Sequence, residues 1–480
     1  MIAESSRCLL CHQAPCTAAC PRGFDPAKAI LSLRMSNPDN AGVWLGPGCE
    51  GCDAPCEGAC IVKPRAVGIR EVASTLTPRG KQAEADLGIE FCGLRAENPF
   101  FLGSAVEASS YEMIARALEL GWAGVFYKTI SFIDIREVSP RFDSVDKGNV
   151  SFIGFRNMEQ LSEHSPEEDF STISRLKRNY PSKIIAASIM GRTDEEWALL
   201  ASMAEKAGAD MVECNFSCPQ MTEKGTGSDV GQNPELVEHY TRVVKSATGL
   251  PVLAKMTPNI THIEEPAAAA LKGGADGIAA INTIKSITLS YRGQVNHMST
   301  ISGYSGKAVK PIAQRMILEL AKCEATAGTE ISGIGGIETW EDALEYILLG
   351  CKCVQVVTSV MHYGYRIIDD LKSGLANYMQ KHGETSVEAL RGRVLKYFVP
   401  AEQLDRTTYS LPKIDREKCV GCGRCYVSCQ DGGHQAISFG EDRAPRIIGR
   451  KCVGCHLCLL VCPADAISPA RRIPKGNSEE

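Results

Sequence analysis

Short apolar runs rich in β-branched residues recur along the middle of the chain, and segments with helical periodicity follow most of them. We predict strands at 100–105, 123–129, 183–190, 209–216, 251–256, 276–283, 330–337 and 353–359. Apolar runs of this length are typical of strands that are buried on both faces of a parallel sheet. Eight strands that alternate with helices over about 270 residues predict an α/β fold, a (β/α)8 TIM barrel.

The alternative fold is a doubly wound open sheet. Such a sheet usually carries a glycine-rich dinucleotide fingerprint after its first strand. The sequence contains neither this G-x-G-x-x-G fingerprint nor a P-loop, and GIGGIE at 333–338 has a different spacing. The pattern therefore favours the barrel.

The cysteines are concentrated at the two ends of the chain, outside the predicted barrel. Of 22 cysteines, eight precede residue 61 and eight follow residue 418. No signal peptide is apparent, so we expect a cytoplasmic protein whose clustered cysteines bind metal or iron–sulfur groups instead of forming disulfides. The net charge of −5 offers no basic face for nucleic acid, and no apolar run has the roughly 18 residues of a membrane span.

The C-terminal cysteines occur as two copies of C-x2-C-x2-C-x3-C, the spacing of bacterial two-cluster ferredoxins. In that fold, the fourth cysteine of each run ligates the other cluster. We assign one [4Fe–4S] cluster to Cys419, Cys422, Cys425 and Cys462, and the other to Cys452, Cys455, Cys458 and Cys429. The alternative, a pair of four-cysteine zinc sites, rarely has this spacing.

The N-terminal cysteines form two looser groups. They are Cys8, Cys11, Cys16 and Cys20, followed by Cys49, Cys52, Cys56 and Cys60. Two further clusters are indicated, with zinc as the alternative. The predicted organisation is a helical iron–sulfur domain at 1–80, the barrel at 86–375, a linker at 376–412 and an α+β ferredoxin-like domain at 413–480.

Polar residues and glycines lie at or just after the carboxyl ends of the predicted strands, where a barrel places its catalytic groups. They are Ser104, Lys128, Thr129, Asn215, Cys218, Lys255, Asn282, Thr283, Gly335, Gly336 and Thr358. Glycines after the seventh strand and a small polar residue after the eighth suit a phosphate, and two lysines suit an electron-rich cofactor. A strand-end lysine alone is more often a surface residue. The combination predicts an FMN site, and the flanking clusters predict a two-electron reaction fed by one-electron carriers.

Several segments resemble the catalytic subunit of bacterial dihydropyrimidine dehydrogenase, from about residue 86 to about residue 468. They include GWAGVFYKTI, GFRNMEQ, ECNFSCPQM, LAKMTPN, GIAAINT, ISGYSGKAVKPIA, SGIGGIETWEDA and the C-terminal cysteine runs. The same type of barrel occurs in dihydroorotate dehydrogenases. The resemblance implies reduction of uracil or thymine to its 5,6-dihydro form.

The resemblance also implies roles for individual residues. FMN would contact Ser104, Lys128, Thr129, Asn215, Lys255, Gly306, Gly335, Gly336, Val357 and Thr358. The pyrimidine would contact Asn157, Glu159, Asn215, Asn282 and Thr283. Hydride would pass from FMN N5 to pyrimidine C6, and Cys218 would protonate C5. A thiol, whose pKa is ordinarily about 8.5, keeps its proton at neutral pH, as this role requires.

The first 80 residues resemble the two-cluster domain that opens the long eukaryotic form of this enzyme. The resemblance implies one cluster on Cys8, Cys11, Cys16 and Cys60, and a second on Cys20, Cys52 and Cys56. The second cluster usually takes a downstream Gln or Glu as its fourth ligand. Ala73 stands there, and alanine cannot ligate iron. Cys49, Glu71 or an incomplete site are the open alternatives.

No FAD or NADPH domain follows these cysteines, although the long form has both. We therefore expect an external electron donor, either an FAD/NAD(P)H-binding partner subunit or a ferredoxin-like carrier, and a homodimer or heterotetramer. One alternative function is oxidoreduction of a related ring such as dihydroorotate. Arg156 is the candidate carboxylate clamp, although such an arginine is more often solvent-facing. The other is an electron-transfer module whose flavin only relays charge.

Overall fold

The computed structural model describes residues 2–46, 49, 51–144, 153–221, 223–287 and 300–475. The chain divides into two compact units, Met1–Lys396 and Tyr397–Glu480. Among these described residues, no helix combines the length and the apolar character that crossing a bilayer requires.

Eight parallel strands form a closed barrel, which confirms the predicted fold class. The strands are β1 (Phe100–Leu102), β2 (Gly124–Ile130), β3 (Ile184–Ile189), β4 (Met211–Asn215), β5 (Val252–Lys255), β6 (Gly277–Ala280), β7 (Glu330–Ile334) and β8 (Cys353–Val356). Each strand pairs with the next, and β8 pairs with β1. Most of them end earlier than predicted, because the last residues of each apolar run leave the sheet and enter the loops that carry the polar side chains.

Eight longer helices alternate with the strands in the chain. They are Tyr111–Leu120, Pro166–Asn179, Asp194–Lys206, Pro234–Ala247, Glu264–Lys272, Lys310–Lys322, Trp340–Leu348 and Ile368–His382. Side chains of N-cap residues accept backbone N–H groups at several helix starts, and Ser165 and Thr339 each form a capping box. The apolar faces of these helices and the barrel strands share one continuous core.

A four-stranded antiparallel sheet is inserted between barrel elements. Its strands, in spatial order, are Ile284–Ser286, Ser302–Ser305, Phe155–Asn157 and Phe142–Ser144. The first two follow β6, and the other two follow β2. The sheet therefore brings residues from two distant loops together at the carboxyl ends of the barrel strands.

The N-terminal segment is helical, as predicted. Its helices are Ile2–Arg7, Pro15–Ala18, Pro26–Arg34, Pro38–Trp44, Pro55–Gly58 and Ile69–Ser74. Side chains of two of its buried residues, Asn37 and Asn40, donate to the Asp370 carboxylate on the last barrel helix. Burial raises the pKa of Asp370 to about 6. These buried contacts fix the helical domain on the barrel.

The second unit contains both helices and strands, as predicted for the C-terminal domain. Two strands, Thr408–Ile414 and Ile467–Pro474, pair antiparallel, and Ile437–Ser438 pairs with Arg446–Ile447. Its helices are Arg424–Gly432 and Leu457–Leu460. In each cysteine run the first two thiols precede the helix and the third lies in its first turn. The fourth thiol is farther along, Cys429 within the first helix and Cys462 after the second.

Candidate functional site

A single cavity lies where the carboxyl ends of the barrel strands meet the antiparallel sheet. All residues that were predicted to contact FMN or the pyrimidine line it, together with the predicted acid. They are Ser104, Lys128, Thr129, Asn157, Glu159, Asn215, Cys218, Lys255, Asn282, Thr283, Gly306, Gly335, Gly336, Val357 and Thr358. Residues from seven of the eight barrel strands or the loops after them, from Ser104 to Thr358, thus share one site.

One end of the cavity is built from glycines whose backbone admits no larger residue. Gly335 and Gly336 have φ values of +126° and +71°, which L side chains rarely adopt. A Cβ atom on Gly336 would lie 2.8 Å from the backbone nitrogen of Lys310, and one on Gly306 would lie 2.6 Å from the Cα of Gly154. Glycines that line a cavity let backbone N–H groups approach a phosphate, so this end fits the FMN phosphate.

Beside the cavity, a carboxylate inside the barrel organises the polar groups. Ser104 Oγ donates to Glu213 Oε1 at 2.9 Å, and Lys255 Nζ donates to Ser104 Oγ at 2.7 Å. Lys255 Nζ also lies 3.5 Å from Glu213 Oε1. Glu213 was not among the predicted site residues, although a carboxylate inside the apolar strand β4 was a signal for it. Its negative charge holds Lys255 in place at the cavity wall.

Gln355 connects the same carboxylate to the neighbouring strand. Its Nε2 donates to Glu213 Oε2 at 3.3 Å and to Ser332 Oγ at 3.1 Å. Its Oε1 is buried and has no hydrogen-bond partner among the described residues. A buried acceptor beside a cavity favours a ligand with an N–H donor. The isoalloxazine ring of FMN has such a group, so this part of the cavity also fits the cofactor.

Lys128 does not present a free positive charge to the cavity. Its Nζ forms an ion pair with Glu159 Oε2, and Arg141 Nη1 donates to Glu159 Oε1 at 2.9 Å. Burial opposes ionisation of Glu159, but the two cations outweigh it and lower the pKa of the carboxyl. Glu159 therefore faces the cavity as a carboxylate, which accepts hydrogen bonds.

A chain of hydrogen bonds fixes the two asparagines at the ends of β4 and β6. Asn215 Nδ2 donates to Thr129 Oγ1 at 2.8 Å, while its Oδ1 accepts the Ser217 hydroxyl at 2.7 Å. Asn282 Nδ2 in turn donates to Ser217 Oγ at 2.8 Å. Ser217 is thus the hydroxyl that orients both amides, a role that sequence reasoning had not assigned to it.

Cys218 is a buried thiol at the wall of the cavity. Its side chain is 5% exposed, and burial raises its pKa to about 11. The loop after it folds back, because Ser228 N donates to the Cys218 carbonyl at 2.9 Å and Gln220 Nε2 donates to the Glu159 carbonyl at 2.6 Å. At neutral pH, Cys218 therefore carries a proton in a fixed position.

Cys214 is a structural thiol on β4, four residues before Cys218. It is fully buried in the core and does not line the cavity. Side chains alternate across a strand, so it points away from the face that carries Asn215.

The expectation that Arg156 faces solvent is wrong. The residue is 5% exposed, and its Nη1 donates to the carbonyl of Thr300 at 3.2 Å. It alternates with Asn157 along the strand Phe155–Asn157 and does not line the cavity. It therefore provides no clamp for a carboxylate on the substrate.

The C-terminal cysteines meet in the two groups that were predicted. One cavity is lined by Cys419, Cys422, Cys425 and Cys462, and another by Cys429, Cys452, Cys455 and Cys458. The two exchanged cysteines each accept a backbone N–H at 3.3 Å, Cys429 from Ala436 and Cys462 from Ala466. Four thiols around each cavity fit one [4Fe–4S] cluster, and N–H···S bonds are among the contacts that tune such clusters.

The N-terminal cysteines also gather in two groups. Cys8 lies within electrostatic range of Cys11, Cys16 and Cys60. The second group lines a cavity and consists of Cys20, Cys49, Cys52 and Cys56. Within the described part of the chain, no group of three or more His, Cys, Asp or Glu side chains is arranged to hold a single metal ion.

Comparison with known proteins identifies the family of both the barrel and the C-terminal domain. The dihydroorotate dehydrogenase family model matches residues 86–379, and a 4Fe-4S dicluster domain model matches residues 412–468. The chain is 54% identical over 402 residues to the NAD-dependent dihydropyrimidine dehydrogenase subunit PreA of Escherichia coli (strain K12). That match covers 82% of this chain and 98% of the relative.

Two more distant relatives match over the same fold. The chloroplastic dihydropyrimidine dehydrogenase (NADP(+)) of Arabidopsis thaliana is 39% identical over 66% of this chain and 79% of the relative. The catalytic subunit of dihydroorotate dehydrogenase B (NAD(+)) of Pyrococcus abyssi (strain GE5 / Orsay) is 36% identical over 65% of this chain and 99% of the relative. The chain therefore belongs to the dihydroorotate dehydrogenase family and, within it, to the dihydropyrimidine dehydrogenase subunits.

Proposed function

We propose that this protein reduces uracil and thymine to 5,6-dihydrouracil and 5,6-dihydrothymine in pyrimidine catabolism. The chain is an oxidoreductase of the dihydropyrimidine dehydrogenase type, with iron–sulfur electron transfer. The observation that carries the proposal for its substrate is the position of Cys218. A buried, protonated thiol lies at the wall of the cavity that the oriented amides of Asn215 and Asn282 also line.

The residues of the cavity fit FMN. Gly335 and Gly336 would hold its phosphate, while Ser104, Thr129 and Lys255 would contact its ring. Gly306, Val357 and Thr358 would complete the site, with Lys128 held by Glu159 at its edge. When bound, FMN supplies the hydride equivalent that the pyrimidine accepts at C6.

The pyrimidine would bind through an edge that alternates carbonyl acceptors and N–H donors. An amide side chain offers both a donor and an acceptor, so Asn157, Asn215 and Asn282 match such an edge. The Glu159 carboxylate accepts from a ring N–H, and Thr283 completes the contacts. Ser217 keeps the amide of Asn215 from rotating, which sets the orientation of the ring.

Cys218 would supply the proton for C5. The Sγ–H bond breaks as the new C–H bond forms, and the thiolate recovers a proton before the next turnover. A pKa of about 11 keeps the thiol protonated at rest. The folded-back loop around Cys218 restricts water at this position.

The electrons would come from another protein. The E. coli relative is described as a subunit of an NAD-dependent enzyme, which supports an FAD/NAD(P)H-binding partner subunit, and a ferredoxin-like carrier is the alternative donor. A homodimer or a heterotetramer would be the working assembly. The many clustered cysteines of this chain favour a reducing compartment, which supports the cytoplasm as its location.

The two alternative functions lack such support. Arg156 lies outside the cavity, so the clamp proposed for a dihydroorotate carboxylate is missing. An electron relay needs neither a positioned acid nor oriented amides, and the cavity contains both.

The decisive experiment is an anaerobic reaction without the natural donor. The purified protein is reduced chemically, freed of excess reductant and mixed with uracil, while flavin and cluster absorbance and dihydrouracil are followed together. We expect re-oxidation with stoichiometric dihydrouracil and no re-oxidation by orotate. Re-oxidation by orotate or by a carrier protein, but not by uracil, would overturn the proposal.

A further inference from the structure

The two N-terminal cysteine runs are approximate copies of each other. The first is CLLCHQAPCTAAC at 8–20, and the second is CEGCDAPCEGAC at 49–60. In each run two residues separate the first two cysteines, Ala-Pro precedes the third, and three residues separate the third from the fourth. Cys49 therefore corresponds by position to Cys8, the first cysteine of its own run.

The structure gives the two runs the same local shape. Each Ala-Pro-Cys starts a one-turn helix, Pro15–Ala18 in the first run and Pro55–Gly58 in the second. After each helix the next backbone N–H returns to the proline carbonyl, from Ala19 in one run and from Ala59 in the other. The two helices also pack against each other. The repeat in sequence is thus a repeat in structure.

The thiols of the repeat are exchanged between the two groups. The fourth cysteine of the first run, Cys20, joins the cavity of the second run and lies within electrostatic range of Cys49 and Cys56. The fourth cysteine of the second run, Cys60, lies within range of Cys8. Each group therefore contains three cysteines of one run and the last cysteine of the other, the exchange that two-cluster ferredoxins use.

We propose that the second N-terminal cluster is a [4Fe–4S] cluster ligated by four cysteines, Cys20, Cys49, Cys52 and Cys56. Cys49 is the ligand that replaces the missing downstream residue. The four thiols lose their protons as the Fe–S bonds form, and no oxidant or reductant is required. The proposal concerns cluster assembly only and does not depend on the pyrimidine reaction.

The other candidate positions for the fourth ligand do not line the cavity. Glu71 is exposed and Ala73 has no ligand atom, and neither lines the cavity. Cys49 is partly buried against the core of the helical domain beside the cavity. A ligand upstream of Cys52 therefore completes the set without a contribution from the helix Ile69–Ser74.

The charges around the cavity also fit four thiolates. A cluster with four thiolates carries one more negative charge than a cluster with three thiolates and an amide. Arg22 and Arg70 both line this cavity, and Arg70 Nη1 donates to the carbonyl of Cys52 at 3.1 Å. Two guanidinium groups beside the site offset that charge.

The test is the iron and acid-labile sulfide content of the full-length protein, with the EPR spectrum of the dithionite-reduced sample. Cys49→Ala should lose one of four clusters, about a quarter of the iron and sulfide. Cys49→Ser should either lose the same cluster or keep it with a changed EPR signal, because an oxygen ligand alters the iron environment. FMN content and circular dichroism of the same samples should match the wild type.

Two control variants make the result specific. Glu71→Ala removes the competing carboxylate, and Cys92→Ser changes a half-buried thiol outside the cysteine groups. Both should keep the full iron content and the wild-type EPR spectrum. The proposal is overturned if both Cys49 variants keep four clusters with an unchanged spectrum, or if Glu71→Ala loses the cluster.

Discussion

Replacement of Cys218 by alanine removes the proton donor and leaves the rest of the cavity in place. The thiol pKa of about 11 lies four units above neutral pH, so about one thiol in 10,000 is ionised and the wild type is a fully competent acid. A positioned general acid contributes about 100- to 10,000-fold to the rate. We expect Cys218→Ala to slow dihydrouracil formation about 1,000-fold, which corresponds to about 4 kcal/mol of barrier.

The assay is a single turnover of chemically reduced protein with excess uracil, quenched and analysed for dihydrouracil. Uracil affinity should stay near that of the wild type, because Asn215 and Asn282 keep their partners. Cys218→Ser should fall between the wild type and the alanine variant, since a hydroxyl is a weaker acid than a thiol. The wild-type rate should be constant from about pH 7 to about pH 9, because the thiol ionises only near pH 11.

Cys214→Ala is the matched control, because it removes a buried thiol four residues before Cys218 that does not line the cavity. It should lower stability and leave the single-turnover rate unchanged. The reasoning would be refuted if Cys218→Ala kept a rate within about threefold of the wild type while still binding uracil. It would also fail if the wild-type rate fell with a midpoint near pH 8.5, the ordinary pKa of a thiol.

Three further variants test the glycine end of the cavity and two buried carboxyl groups. Gly336→Ala should lose FMN on desalting, because its Cβ would lie 2.8 Å from a backbone nitrogen, whereas Gly328→Ala, also at positive φ but in open space, should keep FMN and lose about 1 kcal/mol of stability. Glu213→Gln leaves buried Lys255 without its carboxylate and should lower the unfolding free energy by about 3 kcal/mol, measured by denaturant titration. Burial raises the pKa of Glu107 to about 8, so the wild type should lose up to about 5 kcal/mol of stability as pH rises from about 4.5 to about 8. Glu107→Gln should remove this loss, and thermal melting at about pH 5.5 and about pH 9 would show it; equal slopes in both proteins would contradict the assignment.

Local sequence patterns were sufficient to predict the architecture of the barrel. Each barrel strand is a short apolar run, and each run was recognisable without its neighbours. The cysteine spacings likewise predicted both C-terminal sets, including the exchange of Cys429 and Cys462. These features depend on residues that are close in the chain, so the sequence carries them directly.

The residues at the ends of the predicted strands also line the cavity together. A parallel barrel brings all its carboxyl ends to one face, so polar residues after the strands had to meet once the fold was known. This rule placed Ser104, Asn215 and Lys255 together. The family resemblance added Asn157 and Glu159, which lie outside the strand ends.

Partners that are distant in the chain explain what the sequence analysis missed. Nothing near Glu213 shows that it would accept from Ser104, which is 109 positions away, or hold Lys255 beside the cavity. An arginine at such a position is more often solvent-facing, whereas Arg156 is buried because its strand pairs within an inserted sheet.

The sequence by itself determined the barrel, the two C-terminal cysteine groups and the identity of the residues at the strand ends. Only the tertiary structure decided which charges those residues meet. It neutralises Lys128 with Glu159, and it places Cys49 in the second thiol group. Burial and ion pairing depend on distances through space, which arise from packing of segments that the chain order keeps far apart.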